Sequence, residues 1–288
     1  MKDDFGDRMK DYEGREAERR FLPLLPVCAR LDGRGFSKFT RGLQRPYDQR
    51  MSQLMIDTTL YLVKETGASV GYTQSDEISL AWDWAERDAA VFFDGRIQKM
   101  VSVLAAMASS YFNHEKDRRL PEKASALALF DCRAWQVPNL AEAATVFFWR
   151  ETDATKNSVS MAARHYFSHA ALNKKSWIEM KDMLRGEGVI WEDYPAFFKR
   201  GTYIRRVEKT CRFTASEIAT LPPKHAAHTQ PDLAFIRAEI KALDLPPLGS
   251  VQNRRDVLFA GAEPVIGPTA AKTAETQVRA HRKSKDTP

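Results

Sequence analysis

Cysteine is scarce in this sequence, and its scarcity excludes two kinds of structural support. The 288 residues contain only three cysteines, at Cys28, Cys132 and Cys211. An odd number of widely separated thiols, with no paired cysteine or histidine at zinc-ligand spacing, indicates neither a disulfide framework nor a structural zinc site. We interpret all three as ordinary core thiols.

Long apolar runs are missing as well. No stretch approaches the roughly 18 apolar residues that a transmembrane helix needs. The first twenty residues are charged throughout and lack the apolar segment of a secretory signal. With 43% hydrophobic and 28% charged residues, the composition is that of a globular protein. The sequence therefore predicts a cytoplasmic protein without a membrane partner.

Charge is present in excess of one sign. Lysine and arginine total 44 against 38 acidic residues, which gives a net charge of +6 and favours a polyanionic partner. Between residues 30 and 50 the cations are Arg30, Arg34, Lys38, Arg41, Arg45 and Arg50. Cations close to clustered carboxylates suit a site that holds metal ions and phosphates together.

Two short acidic motifs provide those carboxylates. Residues 31–36 read Leu-Asp-Gly-Arg-Gly-Phe, and residues 74–79 read Gln-Ser-Asp-Glu-Ile-Ser. If the two strands that carry them are neighbours, Asp32, Asp76 and Glu77 meet at one end of a sheet, which suits Mg²⁺ and phosphates. The alternative is that Asp32 only caps a turn and that Asp76 and Glu77 only begin a strand.

Hydrophobic periodicity supports such a sheet. It predicts strands at Leu24–Asp32, Ala68–Tyr72, Glu77–Trp84 and Ala124–Cys132. It also predicts a helix with Asp48 as its N-cap and Gly67 as its C-terminal stop, and a second helix that begins near Asp94. The order is that of an α+β, ferredoxin-like βαββαβ domain, an antiparallel sheet with both helices on one face. In this topology the first and third strands are adjacent, so the two acidic motifs converge.

The rest of the chain predicts further elements. Helices are expected at Leu140–Arg150 and Asn157–Ser168, and an amphipathic stretch at Leu233–Leu243 interrupts a Pro- and Ala-rich region. The cations Arg205, Arg206, Lys209 and Arg212 either follow an RNA backbone or form a solvated face. We divide the chain into a catalytic region (1–140), a helical RNA-binding region (141–215) and a C-terminal extension (216–288) with a basic tail at His281–Lys285.

Four motifs together resemble the tRNA-His guanylyltransferase family. They are residues 30–36, the Arg45-Pro46-Tyr47-Asp48 segment, the Gln74–Glu77 hairpin and the Phe198–Gly201 run, in the family's order and spacing. The resemblance extends from Leu24 to Val207. It implies a polymerase-like palm that adds nucleotides, guanylate in particular, to the 5′ end of tRNA in the 3′–5′ direction. ATP would activate a 5′-monophosphate, and a nucleotide such as GTP would then displace AMP, with two Mg²⁺ ions.

The resemblance also implies roles for individual residues. Asp32, Asp76 and Glu77 would be catalytic. Asp32, Asp76 and Gly33 would bind the metals, and Glu77 would either join them or support them. The nucleotide would contact Gly33, Arg34, Gly35, Phe36, Ser37, Arg45, Ser75, Arg96 and Lys99. Ser75 is equally a plain turn hydroxyl, and the cations are alternatively solvated. RNA would contact Asn157, Lys199, Arg200 and Arg205, and the protein would be a homo-tetramer.

One segment departs from the family pattern. Members that act on tRNA-His carry His-Ile-Asn-Asn-Leu-Tyr-Asn where this chain has Thr155–Met161. The departure points to the guanylyltransferase-like branch, which repairs 5′-truncated tRNAs by templated addition. The alternatives are a tRNA-His-specific guanylyltransferase, a palm-type nucleotidyl cyclase and a non-catalytic RNA-binding module.

Overall fold

The computed structural model describes residues 4–84, 91–230 and 232–267, which contain a six-stranded sheet with helices on both faces. The strands are β1 Val27–Gly33, β2 Val70–Gln74, β3 Glu77–Trp82, β4 Phe130–Gln136, β5 Thr202–Arg212 and β6 Ala234–Leu243. The helices are α1 Asp4–Ala17, α2 Phe36–Phe39, α3 Gln49–Thr66, α4 Ile97–Arg119, α5 Leu140–Tyr166, α6 His169–Leu172, α7 Trp177–Gly186, α8 Ala196–Arg200 and α9 Ala215–Thr220. Within the described ranges, no helix has the length and apolar character needed to cross a membrane.

The sheet is antiparallel, with strand order β4-β1-β3-β2-β5-β6. Its first four strands, with α3 and α4, have the predicted βαββαβ connectivity, and β1 lies beside β3. The predicted α+β class is therefore confirmed. β5 and β6 extend the sheet beyond the four strands that the sequence predicted.

Helices α3 and α4 lie on the same face of the sheet, as predicted. That face presents Val27, Ala29 and Leu31 of β1 to the apolar sides of both helices. The predicted ends of α3 are correct. Asp48 caps its N-terminus by accepting from the Arg50 backbone N–H, and Gly67 ends it in the left-handed conformation at φ 70°.

Helix α5 covers the other face. Cys28, Val70, Tyr72 and Ala81 of the sheet pack there with Phe147 of α5 and with residues between 248 and 258. Beyond the sheet, the second half of α5 packs with α6, α7 and α8 in a separate apolar cluster. The two halves of α5 therefore join the sheet to a helical region.

The fourth strand begins later than the sequence predicts. It begins at Phe130 rather than at Ala124. The cause is Lys116 of α4, whose side chain is 2% exposed and whose Nζ donates to the carbonyls of Lys123, Ala124 and Ala126 at 2.9, 2.9 and 2.6 Å. Residues 123–126 therefore wrap around a buried ammonium group instead of pairing with β1.

The two helices predicted at 140–150 and 157–168 are one continuous helix, α5. The segment between them, 151–156, is mostly polar, but Glu151 is buried with partners, and Thr152 and Thr155 donate to the carbonyls of Phe148 and Glu151. Polar side chains that find partners in this way do not interrupt a helix.

The amphipathic stretch predicted at Leu233–Leu243 is strand β6. It pairs with β5 from Tyr203 to Arg212, whereas β2 pairs with β5 only from Thr202 to Arg205. The outer part of β5 and β6 is therefore a two-stranded ribbon beyond the sheet. The division of the chain at residues 140 and 215 remains a prediction, and the predicted basic tail lies outside the described residues.

Candidate active site

Asp32 and Asp76 lie at the same end of the sheet. Asp32 is opposite Glu77 in the β1–β3 pair, and the Gly33 N–H donates to the Asp76 carbonyl at 3.0 Å. Asp76 belongs to the two-residue turn between β2 and β3, where Ser75 adopts the left-handed conformation at φ 51°. The Ser75 hydroxyl donates to Asp76 Oδ1 at 3.1 Å. The turn and the strand end therefore place two carboxylates side by side.

The electrostatics of this pair favour a bound cation. Burial raises the pKa of Asp76, and the neighbouring Asp32 charge raises it further, against the lowering effect of the Ser75 hydroxyl. Neither aspartate forms an ion pair within the described ranges. No group of three or more candidate ligands that could hold a metal occurs there either. Mg²⁺ is usually bound by one or two carboxylates, and substrate phosphates fill further coordination positions. The donors present therefore fit this ion.

Glu77 is held by Arg150 of α5. Arg150 Nε and Nη2 donate to the two Glu77 oxygens at 2.6 and 2.7 Å, and both side chains are 8% exposed. Arg150 Nη1 also donates to Asp153 at 2.8 Å. Burial raises the pKa of Glu77, and the hydrogen bonds from Arg150 oppose this. Of the two roles considered for Glu77, the geometry favours support of the aspartates over metal binding.

The predicted nucleotide contacts at Gly33–Ser37 form the turn after β1, where free backbone amides could donate to phosphate oxygens. The amides of Gly33 and Arg34 already donate to the carbonyls of Asp76 and Leu129, at 3.0 and 2.8 Å. Gly35 is in the left-handed conformation, φ 69°, and a Cβ on Gly33 would come within 2.4 Å of the Phe36 ring. The turn is thus anchored by its first residues, which leaves Gly35–Ser37 as the candidate amide donors.

A cavity of about 360 Å³ opens beside Asp76, between the sheet end and α5. Five predicted site residues line it: Phe36, Ser37, Arg45, Ser75 and Asp76. Ser158, Met161 and Arg164 of α5 and Phe197 and Phe198 of α8 form the opposite wall. A mixed polar and aromatic cavity of this volume is typical of small-molecule sites.

Arg96 and Lys99 do not join this cluster within one chain. Arg96 lies 4.0 Å from the Asp94 carboxylate, and Lys99 Nζ lies 4.8 Å from the Phe93 ring centroid. The neighbouring Phe92 stacks on Trp82, which is opposite Val27 at the start of β1. Asp32 lies toward the other end of β1, about 17 Å from Val27 over five residue steps. Their predicted role in nucleotide binding stays a prediction.

The predicted RNA-binding residues lie on different elements, and three of them already donate hydrogen bonds to backbone carbonyls of the protein. Lys199 donates to the Glu192 carbonyl, Arg200 to that of Leu245 at 3.2 Å, and Arg205 to that of Val257 at 2.6 Å. Asn157 is exposed on α5. The three cations therefore hold loops in place, and their RNA contacts remain a prediction.

Arg150 was missed by the sequence reasoning, although a signal existed. Ala143, Ala144, Phe147, Ala154 and Ala162 mark the buried side of α5. Extending that stripe through the supposed break places Arg150 and Glu151 on it. A charged pair on the buried side of a helix requires charged or hydrogen-bonding partners across the interface.

Comparison with known proteins gives a consistent result. The family model for tRNAHis guanylyltransferase matches residues 6–138. An uncharacterized protein of Acanthamoeba polyphaga mimivirus is 32% identical over 226 residues, which cover 70% of this chain and 76% of that protein. The chain spans about half the length of the fungal tRNA(His) guanylyltransferases that it also matches.

Two solved structures are similar over most of their length. A bacterial tRNA(His) guanylyltransferase-like protein in complex with ATP shares 36% identity, with a TM-score of 0.66, over 70% of this chain and 86% of that one. A bacterial protein of the same description, in complex with GTP, shares 30% identity, with a TM-score of 0.65, over 85% of this chain and 94% of that one.

Proposed function

The chain belongs to the tRNAHis guanylyltransferase family, and on that basis we propose that it adds nucleotides, guanylate in particular, to the 5′ end of tRNA in the 3′–5′ direction. It is a nucleotidyltransferase, and ATP would activate a 5′-monophosphate before the addition step. The observation that carries the proposal is the Asp32–Asp76 pair at the sheet end, of which Asp76 lines a cavity of about 360 Å³, in a chain similar to proteins solved with ATP and with GTP.

Mg²⁺ is the metal that the donor set supports. Asp32 and Asp76 would hold two ions, with the Gly33 backbone carbonyl and substrate phosphates as further oxygen ligands. Bound Mg²⁺ would activate the attacking oxygen and neutralise charge on the phosphates. The raised pKa of Asp76, which burial and Asp32 cause, supports the assignment because a cation would relieve both effects.

The protein's own groups orient the reactants. Arg45 lines the cavity, and its charge suits the triphosphate. Tyr47 contacts Phe198, with ring centroids 4.7 Å apart, and the two form an aromatic border for a base. In the addition step the 3′-hydroxyl oxygen of the incoming nucleotide would bond to the 5′-phosphorus of the RNA, and the bond to AMP would break. Preorganised charge of this kind stabilises the transition state.

The segment that departs from the family pattern supports a repair activity. Within Thr155–Met161, the Ser158 hydroxyl donates to the carbonyls of Thr155 and Lys199 and accepts from Trp191 Nε1 at 3.2 Å. Met161 lines the cavity. Ser158 and Met161 are thus engaged within the protein, and Asn157 is the one asparagine of the family run that remains, exposed on α5, which favours templated repair of 5′-truncated tRNAs over specificity for tRNA-His.

One experiment separates the candidate functions. Purified protein is incubated with labelled ATP and GTP and with Mg²⁺, with a 5′-monophosphorylated truncated tRNA, with full-length tRNA-His or without RNA. Templated extension of the truncated tRNA supports the proposal, and a preference for tRNA-His returns the chain to the specific guanylyltransferases. A cyclic nucleotide formed without RNA would identify a cyclase, and RNA binding without any product would identify a binding module.

Two expectations remain proposals about the protein as a whole. The resemblance implies a homo-tetramer, and the composition favours a cytoplasmic location. Sedimentation equilibrium over a range of protein concentrations tests the first, and a tagged full-length chain in its own cell tests the second.

A further inference from the structure

An accessible strip of β1 and β4 continues from the aspartates along the α5 side of the sheet. Asp32 is opposite Asp131, and two residues earlier Arg30 is opposite Arg133. Because side chains alternate along a strand, both pairs face the α5 side, as Cys28 does. The side chains of Asp131 and Arg133 are 53% and 57% exposed. We call Arg30, Arg133 and the adjacent Trp149 the arginine–tryptophan strip.

The arginines near this strip differ in how many hydrogen bonds they make to carboxylates. Arg150 makes three hydrogen bonds to carboxylates. Arg30 makes none within the described residues. Its Nε is buried without a hydrogen-bond partner there and lies 3.9 Å from Glu77 Oε2, in a carboxylate that Arg150 already occupies. The Ser79 hydroxyl, opposite Arg30 on β3, is buried and equally without a partner among those residues.

Arg30 and Arg133 therefore supply positive charge that protein groups use only in part. Arg133 lies 3.6 Å from Asp131, but both side chains are more than half exposed, and pairs of this kind contribute little. Like charges directly opposite each other on antiparallel strands repel. An anion between the two guanidinium groups would relieve that repulsion and satisfy their donors.

Trp149 adds an aromatic surface to this charge. Its side chain is 48% exposed, the largest exposure of any tryptophan that the structure describes. The guanidinium carbons of Arg150 and Arg30 lie 4.6 and 5.9 Å from its ring centroid. An exposed aromatic ring beside cations is the usual combination by which proteins bind single-stranded nucleic acid, with bases stacking on the ring.

We propose that the arginine–tryptophan strip binds the 5′-terminal nucleotide of the RNA, whose base stacks on Trp149 and whose phosphate contacts Arg30 and Arg133. Along β1, Arg30 is about 7 Å from Asp32, so the strip would present the 5′ end to the carboxylates. The cavity on the other side of Asp76 would then hold the nucleoside triphosphate. This inference rests on the proposed function for the identity of the RNA.

The test compares RNA binding and nucleotide use in Trp149→Ala, Trp149→Leu, Trp149→Phe and Arg133→Ala. Leucine retains apolar bulk without a π-face, whereas phenylalanine retains a face. Arg118→Ala is the matched control, because Arg118 is 73% exposed on α4, on the opposite face of the sheet. Both positions tested for binding loss, Trp149 and Arg133, are exposed, and a thermal melt of each variant verifies the fold. Binding of 5′-monophosphorylated tRNA is measured without nucleotide between about 50 and 200 mM salt, a range over which the salt dependence of the affinity reports the number of phosphate contacts.

The expected result separates the two parts of the strip. Trp149→Ala and Trp149→Leu weaken RNA binding by about 5- to 150-fold, the scale of one base stack, and Trp149→Phe recovers part of the loss. Arg133→Ala lowers the slope of log affinity against log salt by about 0.7, the contribution of one phosphate contact to a single strand. The KM for ATP stays unchanged in all variants, and Arg118→Ala behaves as wild type.

Other outcomes overturn the inference, and they do so independently of the proposed function. Wild-type RNA affinity in Trp149→Leu would remove the stacking role, and an unchanged salt slope in Arg133→Ala would remove the phosphate contact. A raised KM for ATP with normal RNA binding would assign the strip to the nucleotide instead. If the wild type binds RNA through the strip but adds no nucleotide, the proposed function fails while the RNA site stands. If it binds no RNA, the strip is not an RNA site.

Discussion

On the two faces of the sheet, buried polar side chains find hydrogen-bond partners at very different separations in the sequence. On the α3 and α4 side, Thr58, Thr59 and Thr66 each donate to the carbonyl four residues earlier, and Lys116 donates to carbonyls 7, 8 and 10 residues away. On the α5 side the hydrogen-bonded pairs are Glu77–Arg150, Tyr203–Glu151, Tyr72–Arg200 and Glu151–Leu248, which are 73, 52, 128 and 97 residues apart.

The difference separates a face that supports the fold from one that supports the site. A bond to the carbonyl four residues back forms as soon as its helix forms. The long-range pairs form only when β2, β3 and β5 have packed with α5, α8 and the segment at Leu248, and three of the four involve a residue of β2, β3 or β5. Substitutions on the α3 and α4 face should therefore reduce stability alone, whereas those on the α5 face should change stability and activity together.

The largest expected effect lies in the aspartate pair. Asp32→Ala or Asp76→Ala should reduce both 5′ activation and nucleotide addition by about 1000-fold or more, because both steps need the charge stabilisation that these ligands organise. The fold should persist, since each substitution also removes one of two adjacent like charges. Product formation under single-turnover conditions with Mg²⁺ measures the loss. Asp182→Ala, an exposed carboxylate on α7, is the control, and near-normal activity in either aspartate variant would remove that residue from the metal site.

Arg150→Met tests the long-range pairs directly. It leaves Glu77 buried without its partner, which typically costs about 3–5 kcal/mol. Leu80→Ala on the opposite face is the comparison, with a cavity cost of about 2–5 kcal/mol. Urea unfolding should show similar losses, but activity per folded molecule should fall only in Arg150→Met.

A second variant separates the charge from the geometry. Glu77→Gln/Arg150→Met removes the unpaired charge and should regain much of the stability without regaining activity. If Leu80→Ala loses as much activity per folded molecule as Arg150→Met, the functional distinction between the two faces does not hold.

The same distinction explains what the sequence predicted. The ends of α3 and the alternation of β1 have local signals, a capping Asp48, a left-handed Gly67 and a period of two, and the structure agrees with them. The gathering of Asp32 and Asp76 followed from topology. Residue roles at the site stay predictions.

What could not be predicted depends on distant partners. The buried stripe of α5 marks Arg150 as needing a partner, but only the fold identifies Glu77 as that partner, and the delayed start of β4 is explained only by the burial of Lys116. The direction of α4 after β3 places Arg96 and Lys99 far from Asp32, a consequence of packing that motif spacing does not contain.

Arg45 is expected to have the next largest effect. Arg45→Ala should lower kcat/KM for ATP and GTP by about 10- to 1000-fold, the range for loss of one preorganised charged donor. Arg41→Ala is a matched control, because Arg41 is an exposed cation four residues earlier that does not line the cavity. Saturation curves for both nucleotides measure the effect. Equal curves for the two variants would make Arg45 a surface cation and would limit the site to the sheet end.

The smallest effect is a pH dependence from Glu151, which belongs to the α5 face but lies away from the aspartates. Burial raises its pKa above the ordinary 4.5, although the Tyr203 hydroxyl and the Leu248 N–H, at 2.9 and 2.8 Å, oppose the shift. Between 4.5 and the raised value the folded protein keeps a proton that the unfolded chain has released, so this group makes stability fall as pH rises through that window. Glu151→Gln keeps an oxygen that accepts from the Leu248 N–H, turns an NH2 group that can donate toward the Tyr203 oxygen, and removes the titration. The free energy of unfolding is measured by urea from pH 4 upward, in steps of about one unit across the window. It should rise in the Gln variant relative to wild type as pH increases through the window, and the difference should then stay constant at higher pH. A difference that is constant with pH, or that shrinks as pH rises, would mean that the two hydrogen bonds outweigh burial, and the long-range pairs of this face would then stabilise the ionised form.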